Sequence, residues 1–321
     1  MKRIITTLIL AMAAMPVLAG GPSIDPNLPH YEKTTGVRGT LNAAGSDTML
    51  ELQTLMAEAF RKIYPQVKIQ VEGKGSSTAP PALIEGTVQL GDMSRKMKPT
   101  ETDAFEERFG YEPTRFDVAL DTLAVFVNKD NPIKSLTLEQ VDSIFSKTRR
   151  CGAPADSSTW GQLALDGDHA GAPISLYGRN AASGTYGYFK KHALCKGDYK
   201  DSVKEQPGSA SVVQGIENDA YGIGYSGIGY TTSGVRALPL ARSAGQPAVP
   251  PSSETAADGS YPLARFLFVY VNKKPGQKMD TLTAEYLRYM LSAEGQEIII
   301  KAGFDPLDAD TAAAQLAKLT R

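Results

Sequence analysis

Three short clusters carry the residue types from which an anion site can be built: Gly45-Ser46-Asp47-Thr48, Gly75-Ser76-Ser77-Thr78 and Ser183-Gly184-Thr185. Each stands where a strand pattern gives way to a helix pattern. The first amides of a helix have no intrahelical acceptor, and the helix dipole favours negative charge beside them. One such junction is an ordinary N-cap, because serine and threonine fill that position routinely. Three of one chemical type point to a shared oxyanion site. Arg179, just ahead of the third cluster, supplies the cation, and its planar fork matches two oxygens of a tetrahedral anion. Amides and hydroxyls can meet the remaining lone pairs without ordering long flexible side chains.

Other chemistries find little support. The three histidines, His30, His169 and His192, share no i,i+4 or HxxxH spacing, so neither a zinc site nor a histidine base is indicated. No GxxxxGK[ST] loop occurs. Gly224-Tyr225-Ser226-Gly227-Ile228 misses the GxSxG elbow by one position. With no nucleophile–base pair and no metal cluster, the chain reads as a binding protein that needs no cofactor rather than an enzyme.

The elements that must hold these clusters alternate between strand and helix, which predicts an α/β architecture. Leu52, Leu55, Met56, Ala59, Phe60 and Ile63 fall at helical spacing before Pro65, and Val67, Ile69 and Val71 alternate as a strand. Leu123 to Val127 and Phe266 to Val271 read as buried strands. Ile174 and Leu176 lead into the Arg179 cluster, and 284–301 reads as one closing helix. Residues 241–260, rich in Pro, Ser and Gly, read as a surface loop.

The amino terminus sets the compartment. Lys2 and Arg3, an uncharged apolar run and Val17-Leu18-Ala19 form a signal peptide over 1–19, cleaved before Gly20. The run is too short for a membrane span. Residues 20–37, Pro- and Gly-rich without period, read as a flexible arm. Of 321 residues, 34 are basic and 35 acidic; removing Lys2 and Arg3 leaves 32 against 35, or −3. A nucleic-acid binder needs a basic face, and these charges are interspersed. Cys151 and Cys195, the two cysteines of an exported chain, are expected to form a disulfide that staples the segment between them.

These residues resemble the periplasmic phosphate-binding proteins of ABC importers, the PstS type. The resemblance runs from about Gly39 to Leu307. It rests on Ala44-Gly45-Ser46-Asp47-Thr48, Gly75-Ser76-Ser77, Asp92-Met93-Ser94-Arg95 and Arg179-Asn180-Ala181-Ala182-Ser183-Gly184-Thr185. It continues through Ile223-Gly224-Tyr225, Tyr261-Pro262-Leu263-Ala264-Arg265, Ser292-Ala293-Glu294-Gly295-Gln296 and Ala302-Gly303-Phe304. It implies a type II binding-protein fold of two α/β lobes joined by crossover strands. Lobe 1 would comprise 38–120 with 266–321, and lobe 2 would comprise 121–265. Inorganic phosphate would sit between them, on Thr48 and the Met49 amide, Ser76, Arg179, Ser183, Gly184 and Thr185, with Ser46 and Ser77 close by. The implied partner is an ABC permease in the inner membrane, and the protein would be a periplasmic or secreted monomer.

Two departures qualify the ligand. The family often carries an acid two residues after the arginine, where this chain has Ala181. Many members place an aspartate where this chain has Ser94-Arg95. That aspartate would accept the proton of hydrogen phosphate, which sulfate lacks. Asp47 is the first candidate to replace it and Asp92 the second, with Arg95 holding the acid ionised. The missing acids leave another oxyanion, sulfate or a phosphonate, as an alternative ligand. A secreted adhesin or matrix protein on the same scaffold is a third reading.

Overall fold

A computed structural model describes residues 21–320 of the 321. The signal peptide expected over 1–19 lies outside the described residues. No described helix is long and apolar enough to cross a membrane.

The first lobe is built from β1 (Gly39–Gly45), α1 (Leu50–Ile63), β2 (Val67–Gly73), α2 (Ala79–Glu85), β3 (Leu90–Met93) and α3 (Pro99–Phe109). Then β4 (Thr114–Asn128) crosses into the second lobe. That lobe comprises β5 (Leu136–Thr137), α4 (Leu138–Phe145), β6 (Ser175–Arg179), α5 (Gly184–His192), β7 (Lys204–Gln206), α6 (Ser209–Glu217), β8 (Gly222–Gly227), β9 (Val235–Ala237), β10 (Leu240–Ala241) and α7 (Ser253–Ala257). The chain returns through β11 (Ala264–Val271) and closes with α8 (Thr281–Met290), α9 (Ala293–Lys301) and α10 (Ala309–Thr320).

One continuous sheet, ordered β2-β1-β3-β11-β4-β8-β6-β7, runs through both lobes. β4 and β11 pair antiparallel and lie at its middle. Along β4 the side chains change allegiance. Phe116 and Val118 join the core of the first lobe with Leu267 and Val269 of β11. Leu123, Val125 and Val127 join the core of the second with Leu263. Between these apolar blocks sit the polar residues Asp121 and Thr122, both fully buried. Two cores with a polar layer between them are what a cleft requires, since buried polar groups tolerate an interface only when they are paired.

Three expectations need correction. Residues 21–37 are not a loose arm: Leu28 and Val37 are buried in the first core. The Tyr31 amide donates to Glu294 at 2.9 Å and its hydroxyl donates to Glu285 at 2.9 Å. The single helix expected over 284–301 is two, because the Ser292 hydroxyl caps α9 by accepting from the Gly295 amide. The loop expected over 241–260 contains α7, capped by Ser252. The Cys151–Cys195 disulfide is present, with Cα atoms 5.2 Å apart. It ties the excursion to the residues just past α5, and Trp160 within the excursion is fully buried.

Candidate functional site

The three glycine–hydroxyl clusters meet in the layer between the lobes. After β1, a single 3₁₀ turn over Asp47–Met49 leads into α1, and after β2 a second over Ser76–Thr78 leads into α2. Gly75 takes a φ of +105°, and a Cβ there would lie 2.6 Å from the Ala182 carbonyl oxygen. Its glycine hydrogen permits the backbone approach across the cleft in which the Ser77 amide donates to Ala182 O at 3.1 Å.

Three hydroxyls gather beneath that contact. Ser46 Oγ donates to Ser94 Oγ at 2.9 Å, and the Ser94 amide donates to Ser76 Oγ at 3.0 Å. From the second lobe Gly184 closes over them; a Cβ at that position would sit 2.2 Å from Ser76 Oγ and 2.5 Å from Ser94 Oγ. Alongside, Thr48 Oγ1 and Thr185 Oγ1 bond across the cleft at 3.0 Å. Ser183 is the N-cap of α5, its Oγ accepting from the Thr185 and Tyr186 amides. The Met49 amide, expected to face an anion, instead donates to Ser46 O at 3.0 Å.

Arg179 lies at the end of β6 and is 1% exposed. Its Nη1 donates to Ser209 Oγ at 2.7 Å and its Nη2 to Pro207 O at 3.0 Å. Asp47 faces it from the other lobe, Oδ2 to Nη2 at 3.3 Å, and the same oxygen accepts from the Ser209 amide at 2.9 Å. Burial pulls the Arg179 pKa down, and the charge of Asp47 offsets this. Asp47 thus pairs with Arg179 from the opposite side of the cleft. Its Oδ2 is committed to these two contacts.

The other two members of the expected acid set also lie elsewhere. Asp92 is buried in β3, where Gln53 Nε2 donates to it at 2.7 Å and Tyr286 OH holds Gln53 in turn. Burial pushes its pKa up to about 8. Arg95 grips neither aspartate. Both of its Nη atoms bond Glu101 at 2.7 Å, and Nη2 also reaches Ser77 Oγ at 3.1 Å.

Sequence reasoning missed a second acid–arginine pair, this one buried on both sides. Asp121 and Arg265 stand opposite one another in the β4–β11 ladder, and Arg265 Nε and Nη2 bond Asp121 Oδ2 at 2.9 and 2.7 Å. Arg265 Nη2 also donates to Thr185 Oγ1 at 2.8 Å, which joins the pair to the threonine bridge. Three polar atoms of these residues are buried without a partner: Arg179 Nε, Arg265 Nη1 and Asp121 Oδ1. Orphans of this kind cost about 1–3 kcal/mol each unless a ligand or water meets them. The signal for the pair was its position: an acid and an arginine inside otherwise apolar strands, Leu120-Asp121-Thr122-Leu123 and Ala264-Arg265-Phe266.

The layer therefore offers hydroxyls, two guanidinium groups and one open carboxylate oxygen, but no His, Cys, Asp and Glu group that could hold a metal among the described residues. The family model of a PBP superfamily domain matches residues 32–294. The chain belongs to the PBP superfamily. Within it, the chain is 51% identical to the phosphate-binding protein PstS of Pseudomonas aeruginosa, over 99% of each chain. It is 28% identical to protein SphX of Synechococcus elongatus, over 95% of this chain and 88% of that one. Among solved PBP structures, a putative phosphate ABC transporter substrate-binding protein with bound phosphate, from Clostridium perfringens, aligns with a TM-score of 0.70 at 24% identity. That alignment covers 84% of this chain and all of that one. An ABC-type phosphate transport receptor from Vibrio cholerae aligns at 0.64 with 20% identity, over 83% of this chain and all of its own. The two-lobed architecture with crossover strands is the fold these proteins share.

Proposed function

We propose that the chain captures inorganic phosphate between its lobes and delivers it to an ABC importer. The observation that carries this reading is the buried interlobe layer, where hydroxyls from both lobes surround two buried arginines with unpaired nitrogens. A small tetrahedral anion with many lone pairs matches that inventory. The names of the relatives, phosphate-binding protein PstS foremost, support the same ligand. The contacts would be Thr48, Ser76, Ser94, Arg179 and the start of α5 at Ser183 to Thr185.

Phosphate would be told from sulfate by Asp121 rather than by Asp47 or Asp92. Its Oδ1 has no partner, whereas Asp47 is engaged by Arg179 and Ser209 and Asp92 by Gln53. A carboxylate oxygen can accept the proton of hydrogen phosphate, but meets only lone pairs and like charge on sulfate. Secretion to the periplasm, a permease partner and a monomeric state belong to the same reading. Equilibrium dialysis with labelled phosphate, competed with sulfate, tests it. Saturable phosphate binding that sulfate does not displace is expected, and failure to bind phosphate overturns the reading.

A further inference from the structure

Beside the buried layer, a groove of about 480 Å³ runs between the lobes along the returning crossover strand. Its first wall is the stretch after β3 from Arg95 to Pro99, its second is the outer face of α5, and its floor is Ala264 to Phe268. The charge along it is one-sided. Lys96, Lys98 and Lys191 line it and no carboxylate does, in a chain with 34 basic and 35 acidic residues. The two arginines at its base are already neutralised, Arg95 by Glu101 and Arg265 by Asp121. The three lysines are not: no ion pair among the described residues engages Lys96, Lys98 or Lys191.

The same groove is the place where apolar surface breaks the rule of burial. Phe266, 37% exposed, is the one exposed large hydrophobic side chain among the described residues. Nearby, Tyr188 stacks on His192 with ring centroids 4.2 Å apart, and the Arg265 guanidinium lies 5.1 Å from the Tyr188 ring. A concave wall of one sign focuses the field and concentrates anions. Exposed aromatic faces gain by stacking against a flat partner. A concave site of this volume with an apolar lining and a few charged groups is the form that small-ligand sites take. Inorganic phosphate satisfies only the cations and leaves Phe266 in water.

We propose that this groove is a second ligand site, separate from the buried layer, for a phosphate monoester with a flat aromatic body. A mononucleotide is the simplest molecule of that class. Its phosphoryl group lies among Lys96, Lys98 and Lys191, and its ring lies on Phe266. Because the walls come from both lobes, its occupant also bridges them next to the crossover strand.

The test titrates AMP into the phosphate-saturated protein, so that the buried layer is already filled. One AMP per chain is expected to bind, more weakly as salt is added. Adenosine and additional inorganic phosphate should each bind at least about tenfold more weakly, since each lacks half of the recognised chemistry. Lys191→Glu and Phe266→Ala should each weaken AMP by roughly tenfold while leaving phosphate uptake by the protein unchanged. Failure of AMP to bind the phosphate-saturated protein overturns the proposal. So does displacement of AMP by phosphate at the concentration that fills the buried layer, or AMP binding that both variants leave intact. AMP and inorganic phosphate are read in separate titrations, so failure of one ligand to bind does not remove the other's site.

Discussion

The two acid–arginine pairs of the interlobe layer have the same chemistry and opposite construction. Asp121 and Arg265 are register partners in adjacent strands, with two bonds of 2.7 and 2.9 Å from one guanidinium. Asp47 and Arg179 come from different lobes and meet at a single 3.3 Å contact. The strand ladder that holds the first pair does not depend on where the lobes lie, so the pair can survive an open cleft. The second must break on opening, together with the Ser77–Ala182 backbone bond and the Thr48–Thr185 hydroxyl bond. In a cleft that opens and closes, one pair would thus be a fixture of the hinge and the other a latch of the closed state. A buried charge that loses its partner is costly, which makes the latch favour closure once the anion is in place.

Breaking the latch from the cationic side should have the largest effect. Arg179→Ala removes a guanidinium from the site and strands Asp47, which we expect to cost roughly 3 kcal/mol, or more than a hundredfold in phosphate affinity. Calorimetry with phosphate measures it, and a loss of less than threefold would show that Arg179 is not a ligand. Arg179→Lys should recover only part, since an ammonium cannot reproduce the fork that bonds Ser209 Oγ and Pro207 O.

Asp121→Asn comes next and probes the fixture. The amide keeps the shape but can donate where the carboxylate could not, so phosphate should weaken by about tenfold and sulfate should gain on it. Competition binding of the two anions reads the ratio. An unchanged ratio removes Asp121 from selection and returns the question to the latch.

Asp47→Asn should act on closure rather than on anion choice. The amide oxygen can still accept from the Ser209 amide, but the charge opposite Arg179 is gone, and we expect a loss of about 1–2 kcal/mol in phosphate affinity with the sulfate ratio preserved. Small-angle scattering at subsaturating phosphate should show a larger share of the extended form. A shifted ratio with unaltered closure would exchange the roles assigned to the two pairs.

Asp92 supplies the contrast of a buried acid with no arginine at all. With its pKa pushed up to about 8 from 3.8, it is protonated in the folded protein and ionised in the unfolded chain over that interval. Folding then takes up a proton, so its contribution to stability is complete below about pH 4 and is lost as pH rises through about 8. Asp92→Asn should therefore raise the melting temperature near pH 8 and give little gain near pH 4. Equal gains at both values would show that Asp92 is ionised in the fold.

Much of this was legible in the chain. The three loops could be found because a helix start and a glycine turn are local features, written in four or five consecutive residues. The strand at Leu123 and its return at Phe266 could be found because a buried strand is a continuous apolar run. The arm at 21–37 was misread for the matching reason. Its composition is that of a loop, while its order comes from Tyr31 and Leu28 meeting the first lobe far along the chain.

What sequence alone determined is the inventory: an exported-looking α/β chain, its hydroxyl-rich helix starts, one cysteine pair and Arg179 at the end of a strand. Tertiary structure alone decided which acid serves which arginine. Asp47 meets the Ser209 amide across 162 residues, and Asp121 meets Arg265 across 144. Asp92, two residues from the serine cluster's Ser94, turns away into the core toward Gln53. A carboxylate's role depends on the few ångströms around its oxygens, and in a two-lobed protein those are set by strands and helices from distant stretches. Local spacing carries no record of that juxtaposition, because it arises only when the two cores close on the polar layer between them.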